Sequence, residues 1–101
     1  LEAGKPVFVD FTASWCVTCQ ANKIAVLDRE DIREAFKQHG VVFLVADWTN
    51  QNPDITQALD SFGRSGVPLY ILYSPDGKTT VLPELLTKNI VIEALDKLPS
   101  N

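Results

Sequence analysis

One hundred and one residues, 46% apolar and 22% charged, fit one domain with its own core and leave no case for disorder. A net charge of −4, with nine Lys and Arg spread along the chain, argues against nucleic acid or an anionic membrane surface, both of which need clustered positive charge. No apolar run approaches the ~20 residues of a membrane span. The chain contains no methionine and reads as a mature product or an excised domain, so the lack of a span within it leaves location open.

Leu1 to Lys5 reads as the end of an upstream helix, with Gly4 as its C′ residue and Pro6 stopping continuation. Val7 to Ala13 is a strand whose near-continuous apolar character suggests a central, doubly covered position. Cys16 to about Leu27 reads as helix, and Asp28 can cap a second helical segment running through Ile32 and Phe36 to Gln38. Gly40 punctuates, and Val41 to Trp48 reads as a second buried strand. Asn52-Pro53 is an N-cap followed by proline at the first helical position, and Ile55, Leu59 and Phe62 form an apolar stripe up to Gly63. Gly66-Val67-Pro68 leads into a third strand, Leu69 to Tyr73. Ser74-Pro75-Asp76-Gly77 turns the chain, and Thr79 to Leu82 returns as a fourth. Thr87 can cap the last helix, with Ile90, Ala94, Leu95 and Leu98 on its inner side.

The order is β-α-β-α-β-β-α. Strands joined through helices imply parallel pairing and the Pro-Asp-Gly turn an antiparallel hairpin. A mixed sheet with helices on both faces, an α/β fold, is expected.

The cysteines Cys16 and Cys19 are the whole cysteine content, and they stand at a strand-to-helix junction. Three apart on one helical face, their Cβ atoms lie about 5–6 Å apart, within small adjustments of a disulfide. Cys16, at the helix start, meets unpaired N–H groups and the positive end of the dipole, which favour thiolate. Cys19 lies one turn in, further from water. The division of labour is Cys16 as nucleophile and Cys19 as resolving thiol. A purely stabilising disulfide across so short a loop would remove little unfolded-chain entropy. Structural zinc wants four Cys or His ligands, and His39 stands alone far along the chain. Haem attachment needs His where this chain has Gln20. Redox chemistry is the favoured reading, with no metal and no dissociable cofactor.

Asp10 interrupts the apolar run six residues before Cys16. Buried, its carboxyl would have a raised pKa and could exchange protons with Cys19; the alternative is a half-exposed position satisfied by water. Trp15, next to Cys16, either packs or rims the active surface where a partner docks. Trp48 reads as packing. By itself Pro68 reads as an ordinary trans proline opening a strand.

Asp10-Phe11, Ala13, Trp15-Cys16-x-x-Cys19 and the distant Val67-Pro68 resemble the thioredoxin superfamily over essentially the whole chain. That resemblance implies a thioredoxin fold with a cis Pro68 beside the cysteine pair. It also implies that the Val67 backbone pairs with substrate peptide and that Asp10 is a buried proton-transfer residue. Gly4-Lys5-Pro6-Val7, Asp10-Phe11-x-Ala13, Trp15-Cys16-Val17, Asn22 and Leu82-Pro83-Glu84-Leu85-Leu86-Thr87 are similar to the C-terminal domain of the DsbD family of membrane thiol:disulfide interchange proteins. The related copper-sensitivity-suppressor type shares the likeness. Val17-Thr18 replaces the Gly-Pro of ordinary thioredoxins. The DsbD group commonly has Lys after the second cysteine and Glu four residues after it, where this chain has Gln20 and Lys23. A cation at Lys23, approaching the thiols, would favour thiolate.

The resemblance implies a protein-disulfide reductase domain on the periplasmic side of the bacterial inner membrane. It would pass electrons from an upstream transmembrane domain to a periplasmic acceptor domain or protein, and be monomeric in isolation. Two alternatives are a free-standing periplasmic oxidant or isomerase on the same fold and a non-catalytic binding module that keeps it.

Overall fold

The computed structural model describes residues 4–98. Its elements are β1 (Val7–Thr12), α1 (Val17–Asn22), a π-helical turn (Lys23–Leu27), α2 (Glu30–Gln38), β2 (Val42–Asp47), α3 (Pro53–Ser61), β3 (Leu69–Tyr73), β4 (Thr79–Leu82) and α4 (Lys88–Asp96). The β-α-β-α-β-β-α order is the one expected, on a mixed four-stranded sheet with spatial order β2-β1-β3-β4.

Alternation along β1 divides the core in two. Phe8 packs with Val26, Leu27, Ile32, Phe36 and Leu95 beneath α2 and α4, whereas Phe11 packs with Trp48, Leu59 and Leu69 on the α3 side. Asp10, two residues from Phe8, shares the face of α1 and α2. β1 is central, between β2 and β3, as its apolar run suggests.

Four expectations are corrected. The second strand is not buried: β2 is an edge strand, and Val42, Phe43, Leu44 and Val45 are 39–58% exposed. An apolar run records what a strand could bury, not where in the sheet it lies. The second concerns strand direction. β2 runs parallel to β1, but β3, also reached through a helix, runs antiparallel to it, with Leu69 opposite Phe11 and Tyr73 opposite Val7. β3 therefore starts at the end of the sheet where β1 finishes, so α3 does not carry the chain back along the strands.

The first helix is the third correction. It does not run unbroken to Leu27: α1 closes at Asn22 and the backbone widens into the π-helical turn. Lastly, Asp28 does not cap α2. Arg29 holds the extended N-cap position without a side-chain capping bond, and the Asp28 carboxylate bonds Lys23 Nζ at 2.7 Å instead.

The other helix signals act as read. Asn52 Oδ1 accepts from the Asp54 N–H at 2.8 Å with Pro53 in the first turn, and Thr87 Oγ1 accepts from the Ile90 N–H at 3.2 Å. On α4 Leu95 and Val91 are buried and Ile90 and Ala94 partly buried against the same cluster, as is Leu98 just beyond the helix. Gly77 closes the turn between β3 and β4 with φ 91°, a conformation open to glycine at little cost. Gly4 has φ 70°, as a C′ residue would, but residues 1–3 of the upstream helix expected there lie outside the described residues.

Candidate active site

β1 delivers the chain to the site. Beyond Thr12, the Cys16 N–H donates to Ala13 C=O at 3.1 Å, a tight turn that places Cys16 at the N-cap of α1. Cys16 has extended backbone angles there, and its Sγ accepts from the Cys19 N–H at 3.1 Å. Cys16 and Cys19 form a disulfide with Cα atoms 5.2 Å apart. Cys16 is 7% exposed and Cys19 2%, the gradient expected from their places at the helix start and one turn in. The N–H on Sγ of Cys16 is one of the donors a helix start leaves unpaired, the kind that stabilises sulfur in its anionic form.

Ala13, Cys16 and Cys19 form a small buried cluster with Val67 packed against it. The Val67–Pro68 bond is cis. Residues nearly fifty positions apart thus share one patch. The trans reading of Pro68 as an isolated residue is corrected, and the cis bond implied by the resemblance holds.

Asp10 is buried, 7% exposed, and its Oδ1 finds no hydrogen-bond partner among the described residues. Burial raises its pKa from 3.8 to about 6, against a smaller opposing pull from the Lys23 cation. The carboxyl opens onto a cavity of about 720 Å³ that runs past Gln20 and Lys23 to Phe36 and the Phe43 and Val45 side chains of β2. Of the two readings of Asp10 in the sequence, the buried one holds.

Trp15 lies beside the disulfide, 52% exposed, and is anchored: its Nε1–H donates to Thr49 C=O at 3.0 Å and its ring lies 5.8 Å from that of Trp48. Trp48 is buried in the α3-side core and donates from Nε1 to Thr56 Oγ1 at 2.7 Å, the packing role read for it. Gln20 Nε2 donates to Ala13 C=O at 3.1 Å, bracing the turn that precedes Cys16.

Sequence reasoning assigned no role to Thr49 or Asn22. Besides holding Trp15, Thr49 Oγ1 accepts from the Ser14 N–H at 2.9 Å. Asn22, fully buried at the end of α1, donates to the Tyr70 hydroxyl and to Glu84 C=O, both at 2.8 Å, and accepts from the Leu86 N–H at 3.1 Å. The available signal was the place of Asn22 among the residues that carry the DsbD resemblance; its partners are far away in sequence. Burial pushes the Tyr70 hydroxyl pKa up to about 12, with the Asn22 bond offsetting part of it. Among the described residues no three of His, Cys, Asp or Glu converge as a ligand set for a metal, and His39 faces Asp96 at 3.8 Å.

A disulfide closed over one helical turn, on a sheet that also carries a cis proline to its side, defines a thioredoxin-type redox domain. Residues 1–75 match the Thioredoxin-like family, and the chain belongs to it. Within that family it is related to the C-terminal domain of the thiol:disulfide interchange protein DsbD. It is 30% identical to DsbD 1 of Pseudomonas aeruginosa over 76 residues and 34% identical to DsbD of Ralstonia nicotianae over 74, which is 75% and 73% of this chain. The chain spans 12% of the length of each. The oxidised C-terminal domain of Neisseria meningitidis DsbD superimposes with a TM-score of 0.76 at 25% identity, covering 94% of this chain and 81% of that one. Its reduced form gives 0.75 at 23% identity, over 97% and 84%, a likeness of fold.

Proposed function

We propose that this domain reduces disulfides of protein partners by thiol–disulfide exchange, with Cys16 as nucleophile and Cys19 as resolving thiol. The observation that carries the reading is the position of Cys16: at the N-cap of α1, with a backbone N–H on its sulfur and Cys19 buried one turn behind it.

In the dithiol form the Cys16 thiolate attacks one sulfur of the partner's disulfide. A bond forms from Cys16 Sγ to that sulfur, the partner's S–S bond breaks, and the departing sulfur takes a proton from solvent. Cys19 then gives its proton to the Asp10 carboxylate, directly or through an intervening water, and attacks Cys16 Sγ. The Cys16–Cys19 bond forms, the mixed disulfide breaks, and the second partner sulfur leaves as thiolate. Two electrons pass to the partner, and the cysteine pair ends as the disulfide. The pKa of Asp10, about 6, makes it an effective acceptor near neutrality.

The exposed Trp15 ring offers apolar area at the rim for docking, and the Val67 backbone, held by the cis Pro68, is the strand-like edge for the partner peptide. The likeness to the DsbD C-terminal domain supports a place on the periplasmic side of the inner membrane. There the pair would be re-reduced by a membrane domain of the same protein and oxidised by a periplasmic acceptor.

Replacing Cys19 with Ala tests the assignment. The variant should accumulate mixed disulfides through Cys16 when offered oxidised protein partners, whereas Cys16→Ser in the parent chain, which keeps Cys19, should form none. Mixed disulfides that persist without Cys16 would reverse the roles, and none at all would leave a binding module.

A further inference from the structure

The cavity that ends at Asp10 has a cation in its wall. Lys23 follows directly on α1 and opens the π-helical turn, and both Lys23 and Asp28 line the cavity. The turn itself brings these two together. Its backbone closes from the Asp28 N–H to Lys23 C=O at 2.7 Å, and Lys23 Nζ bonds Asp28 Oδ2, also at 2.7 Å. In an ordinary α-helix residues five apart lie about 140° apart around the axis and could not be clamped in this way. The wider turn is therefore what holds the ammonium in place, and insertions of this kind recur at functional sites.

Lys23 thus shares the cavity wall with two carboxylates. Asp28, on the outside, holds it directly; Asp10, on the inside, is buried and unpartnered. Arg33 and Lys37 of α2 and Asp47 of β2 also line the cavity, and Arg33 reaches only the Asp28 carboxylate, at 4.0 Å. Tyr70 is opposite Asp10 in the sheet, but its hydroxyl is engaged by Asn22. Of these groups Lys23 is the one whose charge offsets the burial penalty on Asp10.

We propose that Lys23, clamped by Asp28, is a positioning residue of the exchange reaction, whose cation sets the pH at which the Asp10 carboxylate can accept the Cys19 proton. The inference rests on the role given to Asp10 above. No electrons pass through the Lys23–Asp28 pair. It governs only the proton that leaves Cys19 Sγ as the Cys16–Cys19 bond forms and the bond from Cys16 to the partner breaks.

Two readouts on the full chain test it: the titration of the Asp10 carboxyl carbon by NMR in the disulfide form, and the pH profile of partner reduction in single turnover. Lys23→Gln removes the cation, so the Asp10 midpoint and the acid limb of the rate profile should rise together, by roughly half a unit to one unit for a partly exposed charge. Asp28→Asn removes an anion and frees the cation, so both should fall. Added salt should shrink both displacements. A Lys23→Gln midpoint that stays at the parent value, or one that moves without the acid limb, overturns the inference. Asp10→Asn separates this failure from that of the underlying reading: if it leaves the acid limb unchanged, Asp10 takes no part in proton transfer at all.

Discussion

A carboxyl without a partner in a buried strand works against the fold and toward the chemistry. Asp10 binds its proton more tightly in the native state than in the unfolded chain, with a pKa of about 6 against 3.8. Its favourable contribution to folding is therefore complete below 3.8 and is lost as pH rises through about 6. Asp10→Asn, neutral throughout, should gain on the parent at neutral pH by about 1–3 kcal/mol. Denaturant unfolding at several pH values should find that gain gone in acid, while single-turnover exchange slows at neutral pH. Asn22 is the contrasting case. It too is a buried polar side chain, but its bonds to Tyr70, Glu84 and Leu86 are all made, so it ties the end of α1 to the segment before α4. The polar character of both residues was legible in the sequence. Which of them would be satisfied was not, because Tyr70 and Leu86 lie 48 and 64 residues from Asn22.

Among the elements, β1 and β2 look alike as sequence, two apolar runs each long enough for a strand, and the fold uses them differently. β1 is hydrogen-bonded on both sides; among the described residues β2 pairs only with β1 and leaves a row of apolar side chains exposed. An exposed apolar edge is a template for pairing with another chain. Leu44→Lys, at an exposed position of β2, should reduce self-association at high concentration, as measured by sedimentation. Its unfolding free energy should stay within about 0.5 kcal/mol of the parent, as for other surface changes. The break between α1 and the π-helical turn was equally hidden. Residues 16–27 carry no proline or glycine to mark it, and the wider turn is held by its own Asp28 N–H to Lys23 C=O bond and by packing of Val26 and Leu27 into the core.

At the scale of the molecule, the two core clusters hold the sheet from opposite faces while the cysteine pair lies at the end of β1 in a third, smaller cluster. The redox site is therefore a cluster of its own, joined to the α3-side core through Val67. Leu95→Ala, which empties a fully buried position where α4 meets α2 and the sheet, should cost about 2–5 kcal/mol. Its thermal midpoint should drop accordingly, and the trapping of mixed disulfides should persist in the fraction that remains folded. A loss of trapping out of proportion to unfolding would mean that the α4 side of the core also shapes the site.

The sequence by itself determined much of what depends on neighbours in the chain, the cap of α2 and the break after Asn22 excepted. The cysteine spacing, the helix start at Cys16, the caps at Asn52 and Thr87 and the turn at Ser74–Gly77 are short-range devices whose geometry follows from a few adjacent dihedrals. They were enough to identify a dithiol/disulfide site and to order its elements. The tertiary structure decided what depends on distant partners. It placed β2 at the edge, ran β3 antiparallel to β1, left Asp10 without a partner, and set Val67, whose bond to Pro68 is cis, against the cysteines. Those outcomes depend on which surfaces meet once the chain has closed on itself, and no local pattern encodes that.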